Sequence, residues 1–281
     1  MQKAVYQASG TFGTCDVAYV EWGDKSNLNV IICVHGLTRN SRDFDHLANA
    51  LADQYRVISI DAPGRGESHW LDNANDYNYP TYCTVILGLL SHLNIDKVDW
   101  IGTSMGGIIG MTIAALPGNP IQRMVINDVG PFLPKQALQR INSYLSMEFK
   151  FATLDELESH LRFVHQPFGP LTVDQWHHMA EHSAVQKPPG EWRLKYDPAI
   201  VTPFKELVDE DIAFWEIWDA LTCPVLLLRG ETSDILLSET AAEMLTRGPK
   251  TTLNEFAGVG HAPALMAENQ VSVVAKWLGR P

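Results

Sequence analysis

Residues 100–107, Trp-Ile-Gly-Thr-Ser-Met-Gly-Gly, decide the fold because they place Ser104 between two glycines where an apolar strand is predicted to turn into a helix. The pattern Gly-x-Ser-x-Gly is typical of a nucleophile elbow. Such a turn strains the serine backbone and requires residues without bulk two positions before and after it, which Gly102 and Gly106 provide. The pentapeptide also occurs by chance in unrelated proteins, so its meaning depends on the surrounding sequence.

Apolar runs alternate with amphipathic stretches on both sides of this segment. Buried strands are predicted at 30–34, 56–60, 98–102, 124–127, 224–229 and 251–256. Helices are predicted at 43–54, 81–93, 105–116 and 264–278. This alternation favours an α/β fold with a mostly parallel central sheet flanked by helices, in which ligands bind beyond the carboxyl ends of the strands. Ser104 lies at such an end.

Residues 131–218 interrupt the alternation. They contain helical patterns broken by prolines, including Pro167, Pro170 and Pro188-Pro189, and no convincing buried strand. We therefore predict that residues 1–130 and 219–281 form the core of the fold. Residues 131–218 are predicted to form an inserted helical cap, or lid.

Length and composition indicate one large domain of ordinary globular type. The 281 residues include 21 basic and 33 acidic side chains, and the net charge of -12 disfavours nucleic acids and anionic membranes as partners. The four cysteines lack the spacing of metal ligands and are interpreted as buried thiols. Since no leader-like segment precedes the first strand and no apolar stretch approaches the roughly 20 residues of a membrane span, a cytoplasmic location is expected.

Two residues downstream of Ser104 are suited to activate it. A serine hydroxyl is a poor nucleophile near neutral pH, so it needs a base, an acid that orients the base, and donors for the oxyanion. Asp234 ends the loop 229–234, which follows one predicted strand, and His261 follows the last predicted strand. Both are therefore expected at the same edge of the sheet as Ser104.

Four motifs together make the sequence resemble the α/β-hydrolase family along nearly its whole length. They are His35-Gly36, Asp-Ala-Pro-Gly-Arg-Gly-Glu-Ser at 61–68, Gly-Thr-Ser-Met-Gly-Gly at 102–107, and Gly260-His261. The chain order Ser104, Asp234, His261 is also that of the family's catalytic triads. The resemblance implies an α/β-hydrolase fold with an inserted cap and the chemistry of the esterase-like and lipase-like members that use a serine nucleophile.

Carried over position by position, the resemblance makes Ser104 the nucleophile, His261 the general base and then acid, and Asp234 the residue that orients His261. The backbone N–H groups of Leu37 and Met105 become the donors to the oxyanion. The resemblance implies no metal and no organic cofactor.

Asp128 is the alternative acid. It also follows a predicted strand, and some family members take the acid from that position. We favour Asp234 and expect Asp128 to form hydrogen bonds in the turn before the cap. His35 is expected to support the oxyanion loop through hydrogen bonds and not to carry protons.

The substrate pocket and any metal site are less clearly indicated. The candidates for lining the pocket are Arg39, Trp176, Trp192 and Trp215. Arg39 is placed to meet a substrate carboxylate, although an ion pair is the commoner fate of such a residue. His178 and His182 are four residues apart, as ligands on one helix face are, but no further ligand accompanies them at a recognised spacing, so no metal site is predicted.

The leading hypothesis for function is hydrolysis of carboxylic esters of small to medium, largely apolar molecules through an acyl-enzyme. Hydrolysis of a carbon-carbon bond in a dienoate is less favoured, because enzymes of that kind typically have asparagine at the position of Thr103 and tryptophan at that of Ala262. A perhydrolase or haloperoxidase-like reaction and a small-ligand receptor on the same fold are also compatible with these motifs. The expected partner is a small-molecule ester, and the sequence does not specify the oligomeric state.

Overall fold

An eight-stranded sheet forms the centre of the computed structural model, which describes residues 1–145, 147–205 and 209–279. The strands of the described residues are β1 (Gln2–Gly10), β2 (Gly13–Trp22), β3 (Val30–Val34), β4 (Arg56–Ile60), β5 (Val98–Thr103), β6 (Ile121–Asn127), β7 (Phe132–Leu133), β8 (Ala184–Lys187), β9 (Glu191–Leu194), β10 (Ile212–Ala213), β11 (Val225–Gly230) and β12 (Thr251–Phe256). The sheet order is β1-β2-β4-β3-β5-β6-β11-β12. Neighbours from β4 onward in this order are parallel, while β2 pairs antiparallel with both β1 and β4.

Helices cover both faces of the sheet. The α-helices of the described residues are α1 (Asp45–Leu51), α2 (Tyr79–His92), α3 (Met105–Ala114), α4 (Lys135–Leu145), α5 (Leu154–Val164), α6 (Val173–Ser183), α7 (Thr202–Lys205), α8 (Trp215–Asp219), α9 (Ser238–Met244) and α10 (Glu268–Leu278). Apolar side chains of α2 and α3 pack on one face, and those of α1 and α10 pack on the other. None of the described helices is both long and apolar enough to cross a membrane. The predicted α/β fold with a mostly parallel sheet is confirmed, although the antiparallel strands β1 and β2 and helix α9 were not predicted.

The apolar run of β3 shows why the sheet is covered on both faces. Successive side chains of a strand point to opposite faces. Ile31 and Cys33 accordingly join the core beneath α1 and α10, while Ile32 and Val34 join the core beneath α2 and α3. Because every residue of β3 is buried, the strand has no polar alternation, which is the pattern from which a central parallel strand was predicted.

Residues 131–218 lie between β6 and β11, and their described part contributes no strand to the eight-stranded sheet. We call this segment the cap. It contains α4 to α8 and a separate apolar cluster that includes Leu157, Trp176 and Met179. It also contains the hairpin β8–β9, which the sequence did not predict. The hairpin gave no signal in the sequence because most of its residues are only half-buried and it lacks a continuous apolar run.

Candidate active site

Ser104 occupies the sharp turn between β5 and α3. Its backbone has φ 51° and ψ -114°, a strained conformation for a residue with a side chain. The two glycines are required by close packing. A Cβ on Gly102 would lie 2.3 Å from the carbonyl oxygen of Gly106, and a Cβ on Gly106 would lie 2.0 Å from that of Val34. The backbone can turn here only because both positions lack a side chain.

A chain of two hydrogen bonds starts at the Ser104 hydroxyl. Ser104 Oγ lies 3.0 Å from His261 Nε2, and His261 Nδ1 lies 2.9 Å from Asp128 Oδ2. Asp128 is fully buried, whereas 14% of the His261 side chain is exposed. The arrangement allows the imidazole to take the hydroxyl proton while the carboxylate holds the opposite ring nitrogen.

Asp128 is held by its own partners at the end of β6. Its Oδ1 accepts a hydrogen bond from the Gly230 amide at 2.8 Å, and its Oδ2 accepts one from Ser233 Oγ at 2.6 Å. Its backbone is in the left-handed region, with φ 61°. The carboxylate therefore has a fixed orientation toward His261. The sequence analysis missed Ser233, and no motif in the sequence indicates its role.

The structure contradicts the prediction that Asp234 orients His261. The Asp234 side chain is 46% exposed, and both of its carboxylate oxygens accept hydrogen bonds from Arg140 of α4. The loop after β11 turns Ser233 inward to Asp128, so the following residue points outward. Asp128, the alternative acid, occupies the position predicted for Asp234.

The loop after β3 passes beside Ser104. A Cβ on Gly36 would lie 3.8 Å from the Ser104 Cβ. The His35 ring fixes this loop, since its Nδ1 donates to the Gly36 carbonyl at 2.7 Å and its Nε2 accepts from the Ala62 amide at 3.0 Å. Burial lowers the pKa of His35 to about 4, which keeps the ring neutral for this pattern. His35 thus lies where a supporting role was predicted.

Leu37 follows Gly36 in this loop, and Met105 directly follows Ser104. Among the described residues, neither amide donates a backbone hydrogen bond outside regular secondary structure, and the Met105 amide belongs to the first turn of α3. An amide in the first turn of a helix lacks a partner within the helix and can donate to an anion, while the Leu37 amide lies in the loop after β3. Arg65 Nε donates to the Leu37 carbonyl at 2.8 Å and so holds this residue in place.

An apolar cavity of about 430 Å³ opens beside the two amides. Its walls are Leu37, Tyr77, Asn78, Tyr79, Tyr82, Met105, Ile108, Thr112, Leu133, Leu138, Ile200, Pro203, Ile212, Phe214 and Ile217. Most of these side chains come from α2, α3 and the cap. We call this space the apolar cavity, and its volume lies in the range of small-molecule sites.

The four predicted pocket residues lie elsewhere or are already engaged. Arg39 donates to both carboxylate oxygens of Asp43 and, at 3.0 Å, to Ser183 Oγ at the end of α6. Arg39 therefore forms an ion pair within the core and a hydrogen bond to the cap. The tryptophans pack outside the apolar cavity: Trp176 and Trp192 pack in the apolar cluster of the cap, and Trp215 packs under the guanidinium of Arg247. Helical spacing alone did not show which way these rings face.

One group of described residues has the ligand types of a metal site. Single ligand atoms of Asp45, His178 and His182 lie within 4.8 Å of one another. Arg42, however, donates to both oxygens of Asp45, and its Nη1 lies 3.4 Å from His182 Nδ1. Burial, with the Arg42 charge, lowers the pKa of His182 to about 3. The positive charge of Arg42 thus already neutralises the Asp45 carboxylate, which lies between α1 and α6.

Comparisons with known proteins agree with this architecture. Residues 29–266 match the model of a family described as alpha/beta hydrolase fold. The chain is 42% identical over 271 residues to a 3-hydroxybutyrate-oligomer hydrolase of Cupriavidus necator, covering 93% of this chain and 92% of that one. It also resembles the crystal structure of a putative hydrolase from Rickettsia typhi, with 33% identity, a TM-score of 0.94 and 99% of both chains covered. For an alpha/beta hydrolase from Novosphingobium aromaticivorans the identity is 32% and the TM-score 0.86, covering 98% and 96% of the two chains.

Proposed function

Since this chain belongs to the α/β-hydrolase fold family, we propose that it is a serine hydrolase that cleaves short oligoesters of a 3-hydroxy acid such as 3-hydroxybutyrate. The observation that carries the proposed reaction is the hydrogen-bonded chain from Ser104 through His261 to Asp128. The substrate class is supported by the 42% identity, over nearly the full length of both chains, to a hydrolase of 3-hydroxybutyrate oligomers.

In the proposed acylation step, Ser104 Oγ attacks the ester carbonyl while His261 Nε2 takes its proton. Asp128 stabilises the imidazolium that forms. The amides of Leu37 and Met105 donate to the oxyanion, and one such donor is typically worth about a hundred- to a thousandfold in turnover. The ester C–O bond then breaks, and His261 returns the proton to the departing alcohol.

In the proposed deacylation step, water occupies the place that the alcohol has left. His261 takes a proton from this water, which attacks the acyl carbon, and then protonates Ser104 as the acid product leaves. The step consumes one water molecule and restores the enzyme. The apolar cavity supports the substrate class, because its walls suit the methyl-branched carbon chain of a hydroxyacyl group.

The test is to incubate the enzyme with the linear dimer of 3-hydroxybutyrate and to measure release of the monomer by proton NMR. We expect release by the wild type and a loss on the order of a million-fold in Ser104→Ala, as in other serine hydrolases. Rapid labelling of the wild type by a fluorophosphonate, with none of Ser104→Ala, is the second expected result. Hydrolysis of p-nitrophenyl butyrate without cleavage of the dimer would reject the substrate class alone. An active Ser104→Ala would reject the reaction as well.

A further inference from the structure

A second cavity lies on the surface of the cap. It measures about 370 Å³, and its walls include Trp70, Leu145, Met147, Phe149, Val185 and Lys187. We call it the Trp70 groove. Trp70 is 44% exposed and Met147 is 57% exposed, which is unusual for such large apolar side chains. A ligand lying in the groove would remove this apolar surface from water.

The Trp70 groove adjoins a small cavity, which we call the neck and which reaches Thr38 and Arg39 of the loop after β3. Phe149, Leu194 and Tyr196 line both spaces. The neck is also lined by Arg39 and His165, and its volume of about 20 Å³ holds roughly one water molecule. An extended substrate that reaches from the groove to Ser104 therefore requires one of these shared side chains to move.

One wall of the neck, His165, lies near His261. The Gly260 amide, next to His261, donates to the carbonyl of Pro167 at 2.7 Å, two residues after His165. In agreement, the pKa of His165 is held well below its usual value by burial, with smaller contributions from Arg39 and His261. The apolar cavity instead adjoins Leu37 and Met105. Because His261 protonates the departing alcohol, the leaving group belongs on the side of the neck.

The charges along this route suit a carboxylate at the end of the leaving group. When an internal ester of a 3-hydroxy acid oligomer is cut, the alcohol product keeps the terminal carboxylate. In this protein of net charge -12, the ammonium group of Lys187 lies exposed over the Trp70 ring, 5.8 Å from its centroid. It pairs with no carboxylate in the part of the chain that the structure describes, whereas Arg193 on the same groove is paired with Glu148 and Glu191.

We propose that the Trp70 groove binds the carboxylate-bearing end of an oligoester, with the ester units over Trp70 and Met147 and the terminal carboxylate at Lys187. The inference rests on the proposed function. It adds a direction of binding, with the hydroxyl end of the substrate in the apolar cavity and the carboxylate end toward the cap surface. Substrates with long leaving groups use the groove, and those with a single-unit leaving group do not reach it.

The test compares kcat/KM for the dimer and the tetramer of 3-hydroxybutyrate, the tetramer methyl ester, and p-nitrophenyl butyrate. Trp70→Ala is expected to lower kcat/KM for the tetramer about tenfold and to change the values for the dimer and p-nitrophenyl butyrate less than twofold. Lys187→Gln is expected to reduce the preference for the free acid over the methyl ester about threefold. The matched control is Phe163→Ala, which removes an aromatic ring that is 82% exposed outside the groove and should change none of these values.

If Trp70→Ala lowers kcat/KM equally for dimer and tetramer, or for neither, the proposed role of the Trp70 groove is wrong. The proposed function would be unaffected by that result. An unchanged preference for the free acid in Lys187→Gln would overturn the assigned direction. If the wild type cleaves p-nitrophenyl butyrate but no 3-hydroxybutyrate oligomer, both the proposed substrate class and the proposed role of the Trp70 groove are wrong.

Discussion

Asp128 and Asp234 follow neighbouring strands of the sheet but lie in opposite surroundings. Asp128 is buried and hydrogen-bonded to His261, whereas Asp234 is half-exposed and paired with Arg140. We predict that Asp128→Asn lowers kcat for p-nitrophenyl butyrate about ten-thousandfold, because an amide fails to hold His261 in the tautomer that accepts the serine proton. Asp234→Asn, the matched control, should stay within about twofold, since exposed pairs contribute little. A larger loss in Asp234→Asn than in Asp128→Asn would contradict the geometry.

His35 links stability to pH. Its ordinary pKa of 6.5 applies in the unfolded chain, and burial lowers the folded value to about 4. Between these values only the unfolded chain binds the proton, so stability is retained above pH 6.5 and lost as the pH falls toward 4. The predicted loss from this residue is about 2 kcal/mol between pH 7 and pH 5. Urea unfolding should show that His35→Asn loses less stability over this interval than the wild type. An equal loss in both proteins would mean that the histidine is not buried in its neutral form.

At the scale of elements, the packing of α3 against β3 depends on Gly106. A Cβ there would lie 2.0 Å from a backbone oxygen of β3, so the helix would have to move away from the sheet. We predict that Gly106→Ala lowers the free energy of unfolding by about 3 kcal/mol. The control is Gly36→Ala, where the nearest atoms lie at 3.8 Å and the expected change is below about 1 kcal/mol. Denaturant unfolding measures both, and equal stabilities of the two variants would refute the packing argument.

The strand pattern predicted the sheet and the place of Ser104 because buried parallel strands carry continuous apolar runs. It did not decide between Asp128 and Asp234, since both follow strands whose carboxyl ends meet at one edge. The decision depends on backbone conformation: Asp128 takes a positive φ, and Ser233 turns inward to it. Neither of these backbone features produces a repeating pattern in the sequence. The prediction that Trp176, Trp192 and Trp215 line the substrate pocket was wrong for a related reason. The spacing of residues along the sequence does not show which neighbouring element each ring packs against.

At the scale of the whole molecule, α4 of the cap packs into the main core, whereas α5 and α6 pack in the separate apolar cluster of the cap. Hydrogen bonds that join the α5–α6 region to the core include Arg39 to Ser183, Asn40 to the His182 carbonyl, Gln175 to the Met266 carbonyl, and Gly260 to the Pro167 carbonyl. The sheet, by contrast, is held by buried apolar side chains on both faces. The α5–α6 region can therefore open locally while the sheet stays intact, and the narrow neck to the Trp70 groove requires some movement of this kind for long substrates.

We therefore predict that backbone amides of α5 and α6 exchange hydrogen at least about tenfold faster than those of β5, β6 and β11. Ser183→Ala removes the Arg39 contact and, at about 1 kcal/mol for one hydrogen bond, should speed exchange in α6 about fivefold without changing the sheet. Ser143→Ala is the matched control, because Ser143 donates only within its own helix, to the Arg140 carbonyl. Hydrogen exchange measured by mass spectrometry resolves these segments. Cap amides that exchange as slowly as the sheet would show that the cap opens only when the whole protein unfolds.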